Sequence, residues 1–266
     1  MSDATLVERN DGLVTVTFNR PDRKNALNAD NWNALDRVLT EITFNPRDRA
    51  LLITGAGGNF SSGADLGGGG EPGVSGLTGR EQQAPLHEMR WIGELLNRLH
   101  RLPKPTIAAV DGVAVGVGLG VALACDLIVA SDRARFCEIF VKRGLALDGG
   151  TSFTLPHHVG LRRAKQLAYF GDMLDATQAL DWGLVNEVVA PDQLLPVAEQ
   201  WGRRLANGPT TALSLIKRML EESTSNTFEK AVEGEARAQQ IIVGTNDLAE
   251  GMTAFMERRD PNFTGT

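Results

Sequence analysis

The chain has 266 residues, of which 42% are hydrophobic and 23% charged. This composition is typical of a globular protein with a sizeable core, and it excludes a disordered or fibrous chain. The formal net charge of −6, with no run of basic residues, argues against a nucleic-acid partner, and the four histidines lack the spacing of a metal site.

The cysteines and the apolar segments bear on where the protein is found. Cys125 and Cys137 do not form a C-x-x-C pair, so we expect two buried, reduced thiols. Residues 1–10 show no basic and then apolar signal pattern. The uncharged stretch at residues 112–125 is too short and too rich in glycine to cross a bilayer. We therefore expect a cytoplasmic protein without a membrane partner.

The first predicted elements are a strand, a helix and a second strand. Leu13–Phe18 alternates β-branched residues after an Asn-Asp-Gly turn signal, which predicts a strand of a hairpin. Asn28 is the predicted N-cap of an amphipathic helix that ends before Pro46. Residues 50–54 predict a buried strand that leads into a glycine-rich turn at residues 55–66. Residues 67–80, rich in Gly, Pro and Ser, predict a mobile loop and a candidate lid.

The remaining elements alternate between helices and strands. Apolar spacing predicts a helix over about residues 84–101, and Thr106–Val110 predicts a strand that runs into a second glycine-rich turn at residues 116–120. Further strands are predicted at residues 126–130 and 184–189, and successive amphipathic helices after Pro191. The predicted fold class is therefore α/β.

The two glycine-rich turns share a possible function. Residues 62–65 and 116–120 each follow a strand and precede a helical stretch. Backbone N–H groups in such positions can point at one substrate oxygen and polarise a thioester, and small residues let the substrate approach. Alternatively, the glycines only permit tight turns and close packing. A dinucleotide-binding loop is excluded, because Val121 replaces its last glycine and too little chain follows for a crossover helix.

Five segments of the chain carry a resemblance to a known family. They are residues 19–21 (NRP), 25–27 (NAL), 60–66 (FSSGADL), 104–112 (KPTIAAVDG) and 250–255 (EGMTAF). In this order they resemble the enoyl-CoA hydratase/isomerase (crotonase) superfamily along essentially the whole chain. The resemblance implies an α/β spiral of repeated ββα units over residues 1–195, which holds the active site. It also implies a C-terminal helical trimerisation region over residues 196–266, and a homotrimer or homohexamer.

The same resemblance implies a substrate and a set of contacts. The substrate would be an acyl-CoA thioester, with coenzyme A as part of the substrate and no further cofactor or metal. The oxyanion donors would be the amides of Ala64 and Val117. The implied substrate contacts are Lys24, Ala26, Leu27, Ser62, Ala64, Asp65, Leu66, Gly116 and Phe140, together with Phe255 and Arg258 from a neighbouring subunit.

The carboxylates decide which reaction of the family is expected. Hydratases of the family use two glutamates to activate water and to supply a proton. The corresponding positions are Gly120 and Phe140, so both carboxylates are absent. Glu138 lies two residues from the second position, but strand alternation would turn it outward as a surface carboxylate. Asp148 is left, either as a base in an apolar pocket or as the N-cap of the next helix.

A single carboxylate suffices for isomerisation. Asp148 would remove a proton from the γ carbon and return it to the α carbon, while the two amides hold the dienolate. This pattern resembles the isomerases of the family, in particular the ring-1,2-epoxyphenylacetyl-CoA isomerase type. The alternatives are an enoyl-CoA hydratase of fatty-acid β-oxidation and an acyl-CoA-binding protein without turnover. A dehalogenase would place a histidine where this chain has Gly93.

Overall fold

The computed structural model describes residues 4–66 and 85–266, so the predicted lid at residues 67–80 lies outside the described residues. Within these ranges the strands are β1 (Thr5–Asn10), β2 (Leu13–Phe18), β3 (Ala50–Gly55), β4 (Thr106–Val110), β5 (Val113–Val115), β6 (Leu127–Ser131), β7 (Arg135–Cys137), β8 (Leu174–Asp175) and β9 (Glu187–Val189). The helices of the first two thirds are α1 (Ala29–Phe44), α2 (Pro85–His100), α3 (Val117–Leu123), α4 (Thr151–Phe170) and α5 (Ala176–Asp181). Those that follow are α6 (Leu194–Ala206), α7 (Thr210–Glu222), α8 (Phe228–Ile242) and α9 (Asn246–Glu257).

The predicted hairpin and first helix are confirmed. Strands β1 and β2 pair antiparallel, and Asp11 and Gly12 both adopt positive φ in the turn between them. The side chain of Asn28 accepts a hydrogen bond from the amide of Asn31, and the Asn31 side chain accepts one from the amide of Asn28, which fixes the start of α1. Its buried apolar residues are Trp32, Ala34, Leu35, Val38, Leu39 and Ile42.

The strands form two sheets joined by repeated units. The larger sheet has the order β1-β2-β3-β4-β6-β9, with all pairs parallel except β1 with β2. The smaller sheet has the order β5-β7-β8. Two successive units, β4-β5-α3 and β6-β7-α4, each place one strand in either sheet before a helix. The α/β class and the ββα repetition predicted from the sequence are therefore present.

The central strands of the larger sheet, β3, β4 and β6, are buried on both faces. In β3, Leu51 and Ile53 enter the main core with α1 and α2, whereas Ala50 and Leu52 enter a second core against α6. A Cβ atom built on Gly202 of α6 would lie 2.7 Å from Cδ1 of Leu13, so this glycine lets the helix pack closely on β2. Double-sided burial explains why these central strands are almost continuously apolar.

One predicted strand is shorter than expected. Residues 184–189 were predicted as a strand, but only Glu187–Val189 pairs with β6. The amide of Leu184 donates to the carbonyl of Ala179 and so closes the end of α5. Asn186 exchanges hydrogen bonds with Ile128 through its side chain and its amide. A helix-end bond at Leu184 and a side-chain bond at Asn186 therefore replace regular strand pairing in the first half of this segment.

The segment after Pro191 is helical, as predicted, and comprises α6 to α9. The predicted division of the chain at residue 195 falls within α6 and remains a prediction. Among the described helices, none combines the length and the apolar character needed to cross a membrane. Cys125 and Cys137 are both buried and free, as predicted.

Candidate active site

The two glycine-rich turns lie against each other. The amide of Ser61 donates to the carbonyl of Val113 at 2.9 Å, and the amide of Val115 donates to the carbonyl of Ser61 at 3.0 Å. A Cβ atom built on Gly118 would lie 2.7 Å from the Ser61 hydroxyl and 2.8 Å from its carbonyl oxygen. The structure thus joins the turns by backbone hydrogen bonds, and glycine at position 118 permits their close approach.

The amides predicted as oxyanion donors are both available. Val117 is the first residue of α3, where a helix has no acceptor of its own for the N–H group. Ala64 lies in the other turn, and a Cβ atom built on the preceding Gly63 would be 3.9 Å from the nitrogen of Val117. Among the hydrogen bonds of the described ranges, none uses either amide as donor. Two free N–H groups in adjacent turns can bind one oxygen.

The segment that precedes the first turn holds it in place. The buried side chain of Asn25 accepts a hydrogen bond from the amide of Arg20 at 2.8 Å. It donates to the carbonyls of Ala56 at 2.8 Å and Asn59 at 2.6 Å. Sequence reasoning missed this role, although Asn25 lies within a motif that was recognised. It fixes the loop between β3 and Ala64.

Several predicted substrate contacts share this region. The amide of Ser62 donates to the carbonyl of Lys24, and the amides of Leu27 and Asp65 bond across to the opposite segment. The Asp65 carboxylate pairs with Arg20 at 2.7 Å, which gives it a part in holding the turn. The backbone of residues 24–27 therefore lies beside residues 62–65. Lys24 and Leu66 are exposed, and Ala26 and Leu27 are buried.

The N-cap interpretation of Asp148 is wrong. The residue at the N-cap of α4 is Gly150, and no side chain caps this helix. Thr151 instead donates from its amide and its hydroxyl to the backbone carbonyl of Asp148, at 3.2 and 2.9 Å. The Asp148 side chain is half-buried, and its Oδ1 atom is buried without a hydrogen-bond partner. Its carboxylate is therefore free for chemistry.

Gly120 and Gly149 bring Asp148 close to the second turn. A Cβ atom built on Gly120 would lie 3.0 Å from the carbonyl oxygen of Gly149, and one built on Gly149 would lie 3.4 Å from Cγ2 of Val117. The loop that carries Asp148 thus packs on the first turns of α3. A larger residue at position 120 would press on this loop. The position of the Asp148 loop therefore depends on glycine at position 120, where the hydratase pattern has a glutamate.

Glu138 does not point outward, contrary to the sequence-based expectation. It is 0% exposed, and neither carboxyl oxygen has a hydrogen-bond partner. Strand β7 ends at Cys137, and a short 3-10 helix over Ile139–Arg143 follows, so strand alternation no longer applies at residue 138. A lone charged residue between apolar neighbours was the signal that could have indicated burial. Phe140 is also buried, 3.7 Å from a Cβ atom built on Gly116.

Burial shifts the pKa values of both acids in the same direction. Desolvation by burial raises the pKa of Asp148 to about 6. Desolvation, and next the negative charge of Asp148, raise the pKa of Glu138 to about 8, with a smaller opposite effect from Thr151. At neutral pH the site therefore holds an ionised Asp148 beside a protonated Glu138, so a base and an acid are neighbours.

The raised pKa of Glu138 predicts a pH-dependent stability. Its value rises from an ordinary 4.5 to about 8 on folding, so in this window the unfolded chain binds fewer protons than the folded one. The free energy of unfolding therefore decreases as pH rises through the window. Glu138→Gln removes this effect, and we expect it to raise Tm by several degrees more at about pH 8.5 than at about pH 4.5. Calorimetry at both pH values checks this, and a pH-independent difference would contradict it.

A cavity of about 390 Å³ opens beside the Asp148 loop. Gly149 and Gly150 form one wall, and α2 and α7 contribute others. Its polar lining includes His100, whose Nε2 atom pairs with the Glu221 carboxylate at 2.8 Å. In the described ranges, no three His, Cys, Asp or Glu side chains gather as a possible metal site.

Phe255 and Arg258 lie at the C-terminal end of α9, and neither takes part in the hydrogen bonds that join the two turns. Phe255 is 80% exposed, and Arg258 is also exposed. Their contact with a bound substrate in a neighbouring subunit stays a prediction.

Residues 8–266 match the sequence profile of the enoyl-CoA hydratase/isomerase family. The chain belongs to this family. It is thus a crotonase-type enzyme of a family that acts on acyl-CoA thioesters, as the sequence motifs predicted.

Relatives of this family member bear different activity names. It is 37% identical to 1,2-epoxyphenylacetyl-CoA isomerase of Escherichia coli strain K12, over 96% of this chain and 95% of the relative. It is 35% identical to crotonyl-CoA hydratase of Syntrophomonas wolfei, over 97% and 96%. The crystal structure of enoyl-CoA hydratase from Bacillus anthracis superposes with a TM-score of 0.90 at 28% identity, over 99% of this chain and all of the other. Because the relatives carry different activity names, the similarity does not decide which reaction this family member catalyses.

Proposed function

We propose that this family member is an enoyl-CoA isomerase that moves a double bond along an acyl-CoA thioester, with Asp148 as its base. The observation that carries the proposal is the free, half-buried carboxylate of Asp148 beside the unpaired amides of Ala64 and Val117. The similarity to an isomerase supports it.

The reaction begins with the thioester oxygen between the two amides. The Asp148 carboxylate takes a proton from the α carbon of a 3-enoyl group, and the electrons of that C–H bond move into a dienolate. Its negative charge rests on the oxygen held by Ala64 and Val117. Protonated Asp148 then delivers the proton to the γ carbon, which leaves the double bond between the α and β carbons, and becomes a carboxylate again. Its pKa of about 6 fits both directions, because a base works best when its pKa lies near the working pH.

The cavity beside Gly149 and Gly150 is the proposed location for the distal part of the acyl group. It begins at the loop that carries Asp148, and Leu96 and Phe153 give it an apolar lining. A pocket with an apolar body and few polar groups is typical of small-molecule sites.

Hydration of a 2-enoyl-CoA is the second candidate. The observation that favours it is the buried Glu138, because the site then contains two acids in different protonation states. Neither acid stands at the positions that the hydratase pattern implies, which Gly120 and Phe140 occupy.

A turnover comparison separates the two candidates. Initial rates on a 3-enoyl-CoA and on crotonyl-CoA are measured with the same enzyme at neutral pH, together with an aryl-CoA thioester. We expect isomerisation to exceed hydration by at least about 100-fold, the usual contribution of one positioned acid or base. Hydration at a rate equal to isomerisation would favour the second candidate. Binding of all three thioesters without turnover would reject both.

A further inference from the structure

We propose that the pair of His100 and Glu221 determines which acyl group this family member accepts. The pair closes the distal end of the acyl cavity and selects a group that ends in a hydroxyl over one that ends in a methyl. This inference rests on the proposed location of the acyl group in that cavity. It concerns two residues outside every segment that carries the family resemblance.

The cavity extends away from the oxyanion amides along α3. The amide of Val117 stands at the first residue of this helix. About one turn later, a Cβ atom built on Gly120 would lie 3.0 Å from the carbonyl oxygen of Gly149, so the Asp148 loop meets α3 there. A further turn leads to Ala124, which lines the cavity. The path along the helix from Val117 to Ala124 is about 10 Å long, which sets the reach of an acyl group that starts at the oxyanion amides.

Helix α2 brings His100 to the same distal end. A Cβ atom built on Gly149 would lie 3.4 Å from Cδ1 of Leu96, so α2 meets the Asp148 loop at this leucine. His100 follows one turn later on the same face of α2 and also lines the cavity. Glu221 comes from α7, and its carboxylate lies 2.8 Å from the Nε2 atom of His100. The pair therefore lies about one helical turn beyond the loop that carries the base.

A second cavity, of about 330 Å³, adjoins the first. His100, Arg101, Glu221 and Glu222 line both cavities, so these side chains form the wall between them. An unbranched alkyl chain that starts at the oxyanion amides therefore meets charged and hydrogen-bonding side chains after about 10 Å instead of further apolar surface.

The lining changes from apolar to polar along this path. Leu96, Ala124 and Phe153 give the body of the cavity an apolar lining. Phe153 also lies edge-on to the imidazole of His100, with ring centroids 6.2 Å apart. This ring contact and the hydrogen bond to Glu221 together hold the imidazole in place. An apolar body with a polar end fits an acyl group that is hydrocarbon for most of its length and has one hydrogen-bonding group at its tip.

Glu221 supplies a hydrogen-bond acceptor for this tip. The two basic residues of the preceding turn, Lys217 and Arg218, pair with other carboxylates at 2.9 and 2.8 Å. The hydrogen bond from His100 is the largest of the effects that lower the pKa of Glu221, so this carboxylate is ionised at neutral pH. An ionised carboxylate has about four acceptor sites, of which His100 fills one.

A hydroxyl is the donor that suits this place. A methyl group there would partly desolvate the Glu221 carboxylate and offer no hydrogen bond in return, which costs affinity. An ammonium group would lose its own hydration next to His100, which is already a donor, and next to Arg101, which repels it. A neutral O–H group donates to Glu221 without adding a charge.

Calorimetric binding of saturated acyl-CoA thioesters tests the selection without turnover, so its outcome is independent of the isomerase proposal. Two thioesters of equal chain length are compared, one with a terminal methyl and one with a terminal hydroxyl, and their extended acyl chains span about 10 Å. We expect wild-type protein to bind the hydroxyl form at least about tenfold more tightly, because a hydrogen bond to a charged group is stronger than a neutral one. Equal affinity for the two thioesters would overturn the selection.

Glu221→Met separates recognition from a merely structural contact between α2 and α7. Methionine is similar in length and forms helices well, but it accepts only weak hydrogen bonds. We expect the preference for the hydroxyl form to disappear, while the methyl form binds at least as well as in wild type. Equal weakening of both thioesters would show a structural contact alone and would overturn the selection. A preference that this variant retains would place the hydroxyl elsewhere and would also overturn it.

Glu199→Met is the matched control. Glu199 forms an exposed pair with Arg203 on α6, and it is not among the described residues that line either cavity. Circular dichroism verifies that both variants are folded. We expect the control to keep the preference of wild type for the hydroxyl form. Loss of the preference in this control would mean that it does not depend on Glu221, and would overturn the proposal.

Discussion

Asp148→Asn is expected to lower kcat on a 3-enoyl-CoA by about two to four orders of magnitude, the usual contribution of a positioned acid or base. Asparagine keeps the size of the side chain but cannot accept the α proton. The hydrogen bonds from Thr151 to the backbone carbonyl at position 148 do not depend on the side chain, so the start of α4 should be unchanged. Affinity for the CoA thioester should therefore stay nearly the same.

Steady-state kinetics and calorimetric titration with a non-reactive acyl-CoA check this prediction. Asp192→Asn is a matched control, because Asp192 is exposed in the loop before α6. We expect the control to keep wild-type activity. Full isomerase activity in Asp148→Asn would show that the base is elsewhere, with Glu138 the first residue to examine.

Gly63→Ala is expected to reduce kcat by about 10²- to 10³-fold, as the loss of one oxyanion donor does. Gly63 has a φ of +97°, and a Cβ atom there would lie 2.8 Å from the backbone carbonyl oxygen of Val115. Because backbone cannot yield as a side chain does, the two turns must separate and the amides of Ala64 and Val117 no longer meet at one oxygen. The pH dependence of the remaining activity should stay that of Asp148.

Gly234→Ala serves as the control for this substitution. Gly234 lies within α8, and, apart from the backbone of this helix, no atom of the described residues lies within 4 Å of a Cβ atom built there. We expect unchanged kcat and a slightly raised stability, since alanine is the better helix former. Circular dichroism of both variants verifies folding. Wild-type kcat in folded Gly63→Ala would rule out the adjacent amides as the oxyanion site.

The sequence predicted the elements that depend on periodicity and on turn chemistry. Leu13–Phe18, the helix capped by Asn28 and the helices after Pro191 form as expected, because their hydrophobic patterns and capping residues agree with the fold. The two turns were also found from their glycines. Their mutual contact through Ser61 could only be seen in the structure, since it joins residues more than fifty positions apart.

Tertiary packing decided the parts that the sequence did not predict. Glu138 is buried because β7 stops one residue earlier than the alternation argument assumed. Asp148 was recognised as a candidate base, but the choice between base and helix cap needed the position of the Thr151 amide. Residues 184–186 failed as a strand because the Leu184 amide bonds locally to Ala179 and the Asn186 side chain accepts from the Ile128 amide. Each case involves a contact between distant segments or a local hydrogen bond that competes with strand pairing.

The fate of the α hydrogen tests the central claim that one carboxyl carries the proton between the α and the γ carbon. An unlabelled 3-enoyl-CoA is converted by the enzyme in deuterium oxide, and the isotope at the γ carbon of the product is read by mass spectrometry after a single turnover. Because the half-buried Asp148 holds the proton between the two steps, we predict that part of the product carries the original hydrogen there. Product that contains solvent deuterium in every molecule at the γ carbon would contradict transfer by a single carboxyl.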